Sequence, residues 1–522
     1  MEYSRTLLSA PTEPPTPPPP SLTGAPAPEW RRREIGLAAA NALKLGSSLL
    51  VTWGIALVAR LYLPRFLGPA RFGVLNFADA FTATAFVVLG LGLDTYVRKE
   101  VSVRPQHASE FVGGIVALRW LMLVAVYAGM EVVLRSTHRS AEVRMLVYIF
   151  GAAQFFMVGS ATSAGLLQAT GQVTEMSVLS VVTKFVWAIG IAISIGFKLD
   201  LWAFACSVAA SEGLKALVLF ALARKHLRFA ITVNVKATAA VIVASLPFYV
   251  SGLATTIYDK IGVSLLSFLG SDREVGWYGA AAGLAGLTLL LAPLISWVLI
   301  PLFARAAAAS EAELHLMVRR SMEFILTVAI PVSLMMVVGA DIWVQILFGP
   351  KYAPATNALR VLAVANLLMY VSIVCAYALA VSNRTWRMSA VFTGGMVVNP
   401  ICNLLLIRPF LELGLGGGGT ACAIATLVTE IGVVTPLLIM LGRSVLNARL
   451  VTRILKNFAV AGAVVGLDVL FLRPWGWQRL PLEALIYVGA VLAVKAVDLR
   501  ELVSSAQALI RERRRKGAAP SP

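Results

Sequence analysis

Fourteen stretches of about twenty predominantly apolar residues follow one another along this chain, each long enough to cross the hydrocarbon of a bilayer. They lie at 39–63, 74–94, 111–134, 145–167, 175–197, 200–223, 240–269, 276–303, 317–340, 357–381, 386–407, 417–441, 454–472 and 481–499. In hydrocarbon a backbone satisfies its own N–H and C=O groups only as a helix or a closed barrel. The runs are continuous rather than alternating, so helices are expected. Hydrophobic residues make up 58% of the chain and charged residues 14%, more apolar surface than a domain in water can bury. The fold class is an all-α integral membrane protein with about 14 transmembrane helices.

The chain is also duplicated. Residues 66–73, FLGPARFG, return at 268–276 as FLGSDREVG, each between two apolar runs. ACSVAASE at 205–212 returns as ACAIATLVTE at 421–430, and Met176-Ser177 is echoed by Met388-Ser389. So long a period indicates two homologous lobes rather than a solenoid. An even number of spans per repeat gives both lobes the same orientation, with a pseudo-twofold axis along the membrane normal. The expected organisation is a proline-rich tail at 1–34, an N-lobe at 35–223, a linker at 224–239, a C-lobe at 240–441, two further spans within 442–499 and a basic tail at 500–522.

If the amino terminus is cytoplasmic, Lys and Arg in the tails and even-numbered connections outnumber those on the other side by roughly two to one. This bias puts both termini in the cytoplasm. The net charge of +18 then reflects topology and attraction to anionic headgroups, and nucleic acid is not an expected partner. The tail containing PTEPPTPPPP lacks the early apolar core of a signal peptide and is expected to be disordered.

An ionisable group at mid-bilayer costs about 2.5 to 3.5 kcal/mol, so each one within a span needs a partner, a wet cavity or a path to the interface. Tyr258-Asp259-Lys260 sits near the middle of the seventh span, shortly after Pro247 and Gly252, which can kink it. Neighbouring residues point about 100° apart and are expected to neutralise one another poorly, so at least one should face a cleft. Lys44, Arg119, Lys184 and Lys215 form a second basic set, all in the first lobe and suited to an anionic ligand from the cytoplasm. Lys44 can instead snorkel, and Lys215 can pair with Glu212. Glu323 has Arg319 one turn away as a structural partner. Asp79 follows the first FLG repeat as a rim residue, and Glu212 and Glu430 occupy equivalent places in the repeats as candidates for proton or sodium coupling.

Other chemistry finds little support. The glycines at 416–419 follow no strand and lack the Lys-Ser/Thr of a phosphate loop, so they are expected to begin a helix. GxxxxGK[ST], HExxH and GxSxG are missing from the sequence, no cofactor or metal is implied, and no loop between spans has room for a catalytic domain. Cys206, Cys375, Cys402 and Cys422 lie within spans without metal-ligand spacing and read as packing residues.

Three segments carry a family resemblance: RLYLPRFLGPARFGVLNFADAF at 60–81, LPFYVSGLATTIYDKIGVSLLSFLGSDREVGWYGAAAGL at 246–284 and ILFGPKYAPATNALRVLA at 346–363. In order and spacing they resemble the polysaccharide transporter (oligosaccharide flippase) family of the multidrug/oligosaccharidyl-lipid/polysaccharide exporter superfamily, over residues 36–441. The resemblance implies a MATE-like pair of six-helix lobes in the bacterial inner membrane. It also implies movement of undecaprenyl-pyrophosphate-linked oligosaccharide to the periplasmic leaflet, alongside a polysaccharide polymerase and a chain-length regulator. Lys260 carries over directly. The acid that the family often has two residues later is replaced by Gly262, leaving Asp259 as a shifted counterpart. Cleft cations fit a pyrophosphate headgroup, and Trp53, Tyr62, Trp187, Tyr258, Trp277 and Tyr278 are aromatics able to stack on sugars. The alternatives are a cation-coupled multidrug and toxin extrusion antiporter, a lipid II flippase and, less favoured, a membrane polysaccharide polymerase.

Overall fold

A computed structural model describes residues 29–93, 108–169, 173–227, 232–289, 292–382, 384–442 and 445–494. The described chain is helical throughout. Helix α1 (Glu29–Phe86) spans 58 residues and holds the first two expected spans. Between them Gly68 adopts φ 75°, ψ 167°, flanked by Pro64 and Pro69. Glycine tolerates that backbone, and each proline removes a helical donor, so the chain turns here, between Arg65 and Arg71. Then come α2 (Ala108–Ser136), α3 (Ala141–Ala169), α4 (Val173–Gly196) and α5 (Leu201–Leu227).

The second lobe starts with α6 (Val235–Leu269), which runs through Pro247 without interruption. Its partner span is broken into α7 (Asp272–Ala285), a 3-10 turn (Gly286–Leu289) and α8 (Ala292–Ala309). The equivalent span of the first lobe also ends in a 3-10 turn, Val87–Gly90. Next come α9 (Glu311–Val338), α10 (Ala340–Phe348), α11 (Thr356–Val381), α12 (Thr385–Glu412) and α13 (Gly417–Leu441). The chain finishes with α14 (Ala448–Leu467) and α15 (Arg479–Ala493).

Eleven helical stretches among the described residues are long and apolar enough to cross a membrane. Val51–Gly90 and Leu450–Ala493 each contain two of the expected runs. With the broken pair α7 and α8, the helices occupy all fourteen expected positions. Residues 1–28 of the first tail and 500–522 of the last lie outside the described residues, whereas residues 29–34 already belong to α1. The linker is shorter than expected, since α5 continues to Leu227 and α6 begins at Val235.

The duplication is visible in the packing. In the first lobe α1 packs on α4, α3 on α5 and α4 on α5; in the second α6 packs on α12, α11 on α13 and α12 on α13. The lobes meet through α1 and α7 at the two FLG repeats. A Cβ on Gly73 would lie 1.8 Å from the Asp272 carbonyl oxygen, and one on Gly276 would lie 1.9 Å from that of Pro69. Each glycine thus lets the backbone of the other lobe approach, in a reciprocal contact about the pseudo-twofold axis. Arg139 reinforces this end, donating to the Ser267 carbonyl at 2.6 Å with its guanidinium over the rings of Phe77 and Phe268. The Tyr352 hydroxyl donates to the Pro64 carbonyl at 2.7 Å.

The last two spans dock on α9 and α10 by charge. Arg479 is almost wholly buried, 2.6 Å from Asp341 and 3.2 Å from the buried Asp468. Arg453 stands 3.7 Å from Glu323, so that acid pairs across helices rather than with Arg319 on its own.

Candidate substrate cavity

Two cavities meet on α6. The first, of about 380 Å³, lies between the lobes, lined by Asn76 and Asp79 of α1, Trp187 of α4, Asp259 and Lys260 of α6, Tyr278 of α7, Asn366 of α11 and Thr426 of α13. The second, of about 450 Å³, lies within the C-lobe, lined by Thr255, Tyr258, Asp259, Lys260, Ser372 and Glu430. Asp259 and Lys260 face both. They sit in the middle of the 35-residue α6, where two cavities keep them out of contact with lipid.

Lys260 Nζ lies 3.1 Å from Asp259 Oδ2, with both side chains about half-exposed to the cavities. The expectation that adjacent residues neutralise each other poorly is corrected here: the four-carbon lysine stem bends back along the helix surface and closes the gap. Asp79, Asp259 and Lys260 are the charged residues lining the central cavity. Its wall is therefore less basic than the sequence led one to expect.

The rest of the basic set explains the difference. Arg119 is buried, its Nε donating to the Leu89 carbonyl at 2.9 Å and its Nη2 to that of Gly90 at 3.4 Å. Those carbonyls are released by the 3-10 end of the second span, and a guanidinium is a donor able to satisfy them away from water. Arg119 thus braces a broken helix and lines neither cavity. Lys215 stands 3.4 Å from Glu212 and also lines neither. Lys184 lies 4.9 Å from the ring centroid of Trp187, which does line the central cavity. The side chain of Lys44 lies outside the described residues.

Glu212 and Glu430 occupy matching places but differ chemically. Beside them, the Ser211 hydroxyl donates to the Thr183 carbonyl and the Asn399 amide to the Thr429 hydroxyl, tying α5 to α4 and α13 to α12. Three residues on, however, the first lobe has Lys215 and the second has Val433. Glu430 is fully buried and accepts from the Ser372 hydroxyl at 3.0 Å. Its Oε1 has no partner at ordinary hydrogen-bond geometry, although the Tyr258 side chain lies within reach of the carboxyl.

Three uncharged polar residues were not anticipated. Asn76 lines the cavity, but its amide nitrogen is buried without a hydrogen-bond partner against Gly279 of α7. The Asn366 amide donates to the Ala285 carbonyl at 2.8 Å and the Thr288 hydroxyl at 3.2 Å. Tyr370 donates to the Thr288 carbonyl at 2.6 Å. An Asn inside an apolar run is the sequence signal that points to them. Trp187, Tyr258 and Tyr278 line the cavities, whereas the Trp277 indole is spent on the Lys351 carbonyl at 2.9 Å.

The glycines at 416–419 do bind an anion, but it belongs to the protein. The buried Glu274 carboxylate accepts from the N–H groups of Gly416 at 2.7 Å and Gly419 at 3.2 Å, filling the helix N-terminus where a phosphate would sit.

Comparisons with known proteins agree with this architecture. The sequence profile of the family described as "Polysaccharide biosynthesis protein" matches residues 38–307. Among curated proteins the sequence comparison finds no match. Among solved structures, the lipid II flippase MurJ in an inward closed conformation superposes with a TM-score of 0.66 at 13% identity, covering 89% of this chain and 100% of that one. The Vibrio cholerae MATE transporter VcmN in its bent form gives 0.53 at 13% identity, covering 79% and 99%. An outward-facing multidrug resistance MATE family transporter gives 0.55 at 15% identity, covering 77% and 96%. At such identities these likenesses establish the fold.

Proposed function

Because the chain belongs to the polysaccharide biosynthesis protein family, within the multidrug/oligosaccharidyl-lipid/polysaccharide exporter superfamily, we propose that it flips undecaprenyl-pyrophosphate-linked oligosaccharide from the cytoplasmic to the periplasmic leaflet. The observation that carries this reading is the inter-lobe cavity with Lys260, a half-exposed cation paired with its neighbour Asp259, in a wall shared with Asn76. A pyrophosphate outcompetes a single carboxylate for that ammonium. Trp187 offers a ring to the first sugars, while the polyprenyl tail stays in lipid.

With both termini cytoplasmic, as the charge bias suggests, the FLG repeats lie at the periplasmic end, and their close contact closes that end. Rocking of the lobes that parts Gly73 from the Asp272 backbone and Gly276 from Pro69 opens that end. Glu430, buried and half-satisfied beside the Asp259–Lys260 pair, is the candidate for coupling the motion to proton or sodium movement. The polymerase and chain-length regulator act on the delivered product.

A second reading, a cation-coupled drug antiporter, is favoured by the two acids against one lysine in the central cavity. One experiment separates them. Deleting the gene should make lipid-linked oligosaccharide accumulate on the cytosolic face, reversibly on complementation. Unchanged glycan export together with new sensitivity to cationic dyes would select the antiporter.

A further inference from the structure

A third cavity, of about 550 Å³, opens between α8 and α9 on the outer side of the 3-10 turn Gly286–Leu289. Its wall is apolar, with Ile295, Leu299, Leu302, Phe324 and Val328 prominent, and Arg320 is its charged residue. Arg320, Phe324, Val328 and Val332 recur every four residues, forming one stripe about 18 Å long on α9. The three apolar members are 61%, 40% and 45% exposed, so the groove faces lipid rather than another helix.

Two observations single this groove out from ordinary lipid-facing surface. Arg320 is exposed, with neither hydrogen bond nor ion pair among the described residues, and it lies nine residues into α9, about 14 Å from that helix's end. That is three residues inside the apolar run beginning at 317, the headgroup end of the span, where a cation attracts anionic headgroups. Second, the groove and the central cavity share a thin wall. Leu287 and Thr288 face the groove while Gly286 and Leu289 face the cavity, and Asn366 and Tyr370 hold the segment from α11.

Resting on the flippase reading above, we propose that this groove is the docking site for the polyprenyl chain of the cargo, with Arg320 taking its pyrophosphate before the headgroup moves into the central cavity. The four-residue stripe guides the chain, and the 3-10 turn is the sill across which head and tail are divided. The occupant is committed: an isoprenoid pyrophosphate, not a bulk phospholipid.

The test uses the full chain in nanodiscs with a photo-crosslinking side chain at Phe324 or, separately, at Trp187. The probes are tagged undecaprenyl pyrophosphate and tagged phosphatidylglycerol. The proposal expects Phe324 labelling by the prenyl probe to exceed that by the phospholipid several-fold, and to fall about tenfold in Arg320→Gln, which loses one charge-assisted contact. Val328→Trp, which fills the groove, should abolish it while Trp187 labelling persists. Size-exclusion profiles matching wild type establish that both variants fold. Equal labelling by the two lipids, or labelling indifferent to both substitutions, would overturn the groove. Prenyl labelling at Trp187 but not at Phe324 would overturn the groove alone, and labelling at neither position would overturn the flippase reading with it.

Discussion

Replacing Lys260 with Gln removes the cation from the cavity wall at little change in length. At 3.1 Å and an effective dielectric of about 20, its attraction to Asp259 is about 5 kcal/mol, much reduced because both side chains are half-exposed. That pair is weak enough for a doubly charged headgroup to displace. What the variant loses is one charge-assisted contact to pyrophosphate, about 2 kcal/mol, or roughly thirtyfold in Kd. Lys260→Arg keeps the charge and should stay within a few-fold of wild type. Asp259→Asn removes the carboxylate that competes for Lys260 and should bind several-fold more tightly. Equilibrium binding of tagged undecaprenyl pyrophosphate to purified protein in nanodiscs measures all three. A Kd for Lys260→Gln within twofold of wild type would refute the reasoning. So would weaker binding in Asp259→Asn, because it would mean that the acid, not the lysine, meets the cargo.

Gly276→Val places side-chain atoms where the Pro69 carbonyl now sits, 1.9 Å from an ideal Cβ, so the FLG ends should separate. Maleimide labelling of a cysteine introduced at Asn76 from the periplasmic side should then rise several-fold. Arg479→Ala leaves Asp468 buried without its guanidinium and removes a partner of Asp341 at the last two spans, a loss of about 3 to 5 kcal/mol. It should appear as a markedly lower Tm in detergent, with prenyl pyrophosphate binding retained at low temperature. Glu430→Gln should abolish the stimulation of transport by an ion gradient, whereas Glu212→Gln, already paired with Lys215, should leave it intact. Gradient-driven and gradient-free transport rates in the two variants check this.

Span positions were legible because hydrocarbon thickness fixes a length that apolar runs must meet. The duplication was legible from FLG and from the two glutamates, and the packing repeats it helix for helix. Backbone breaks inside a span were not: the 3-10 turns after Phe86 and Ala285 follow ordinary apolar residues, held by Arg119 and Asn366 reaching from other helices. The same cause misassigned Arg119: a charge within a span needs a partner, but the sequence does not say that the partner is a broken backbone nearly thirty residues away. Asp79, Asp259 and Lys260 line one cavity, where the sequence had turned the Asp259–Lys260 pair toward a cleft and put Asp79 at its rim. The difference between Lys215 and Val433 was present in the sequence and needed only the repeat alignment to be noticed.

The central claim is tested most directly by translocation itself. Purified protein is reconstituted into liposomes with tagged lipid-linked oligosaccharide, and a membrane-impermeant glycosidase reports the fraction exposed on each leaflet over time. The account predicts that the wild-type protein equilibrates the pool far faster than protein-free liposomes, and that Lys260→Gln slows it toward the protein-free rate. Protein-containing liposomes in which the oligosaccharide stays in its original leaflet, while a cationic dye crosses in exchange for protons or sodium, would contradict it.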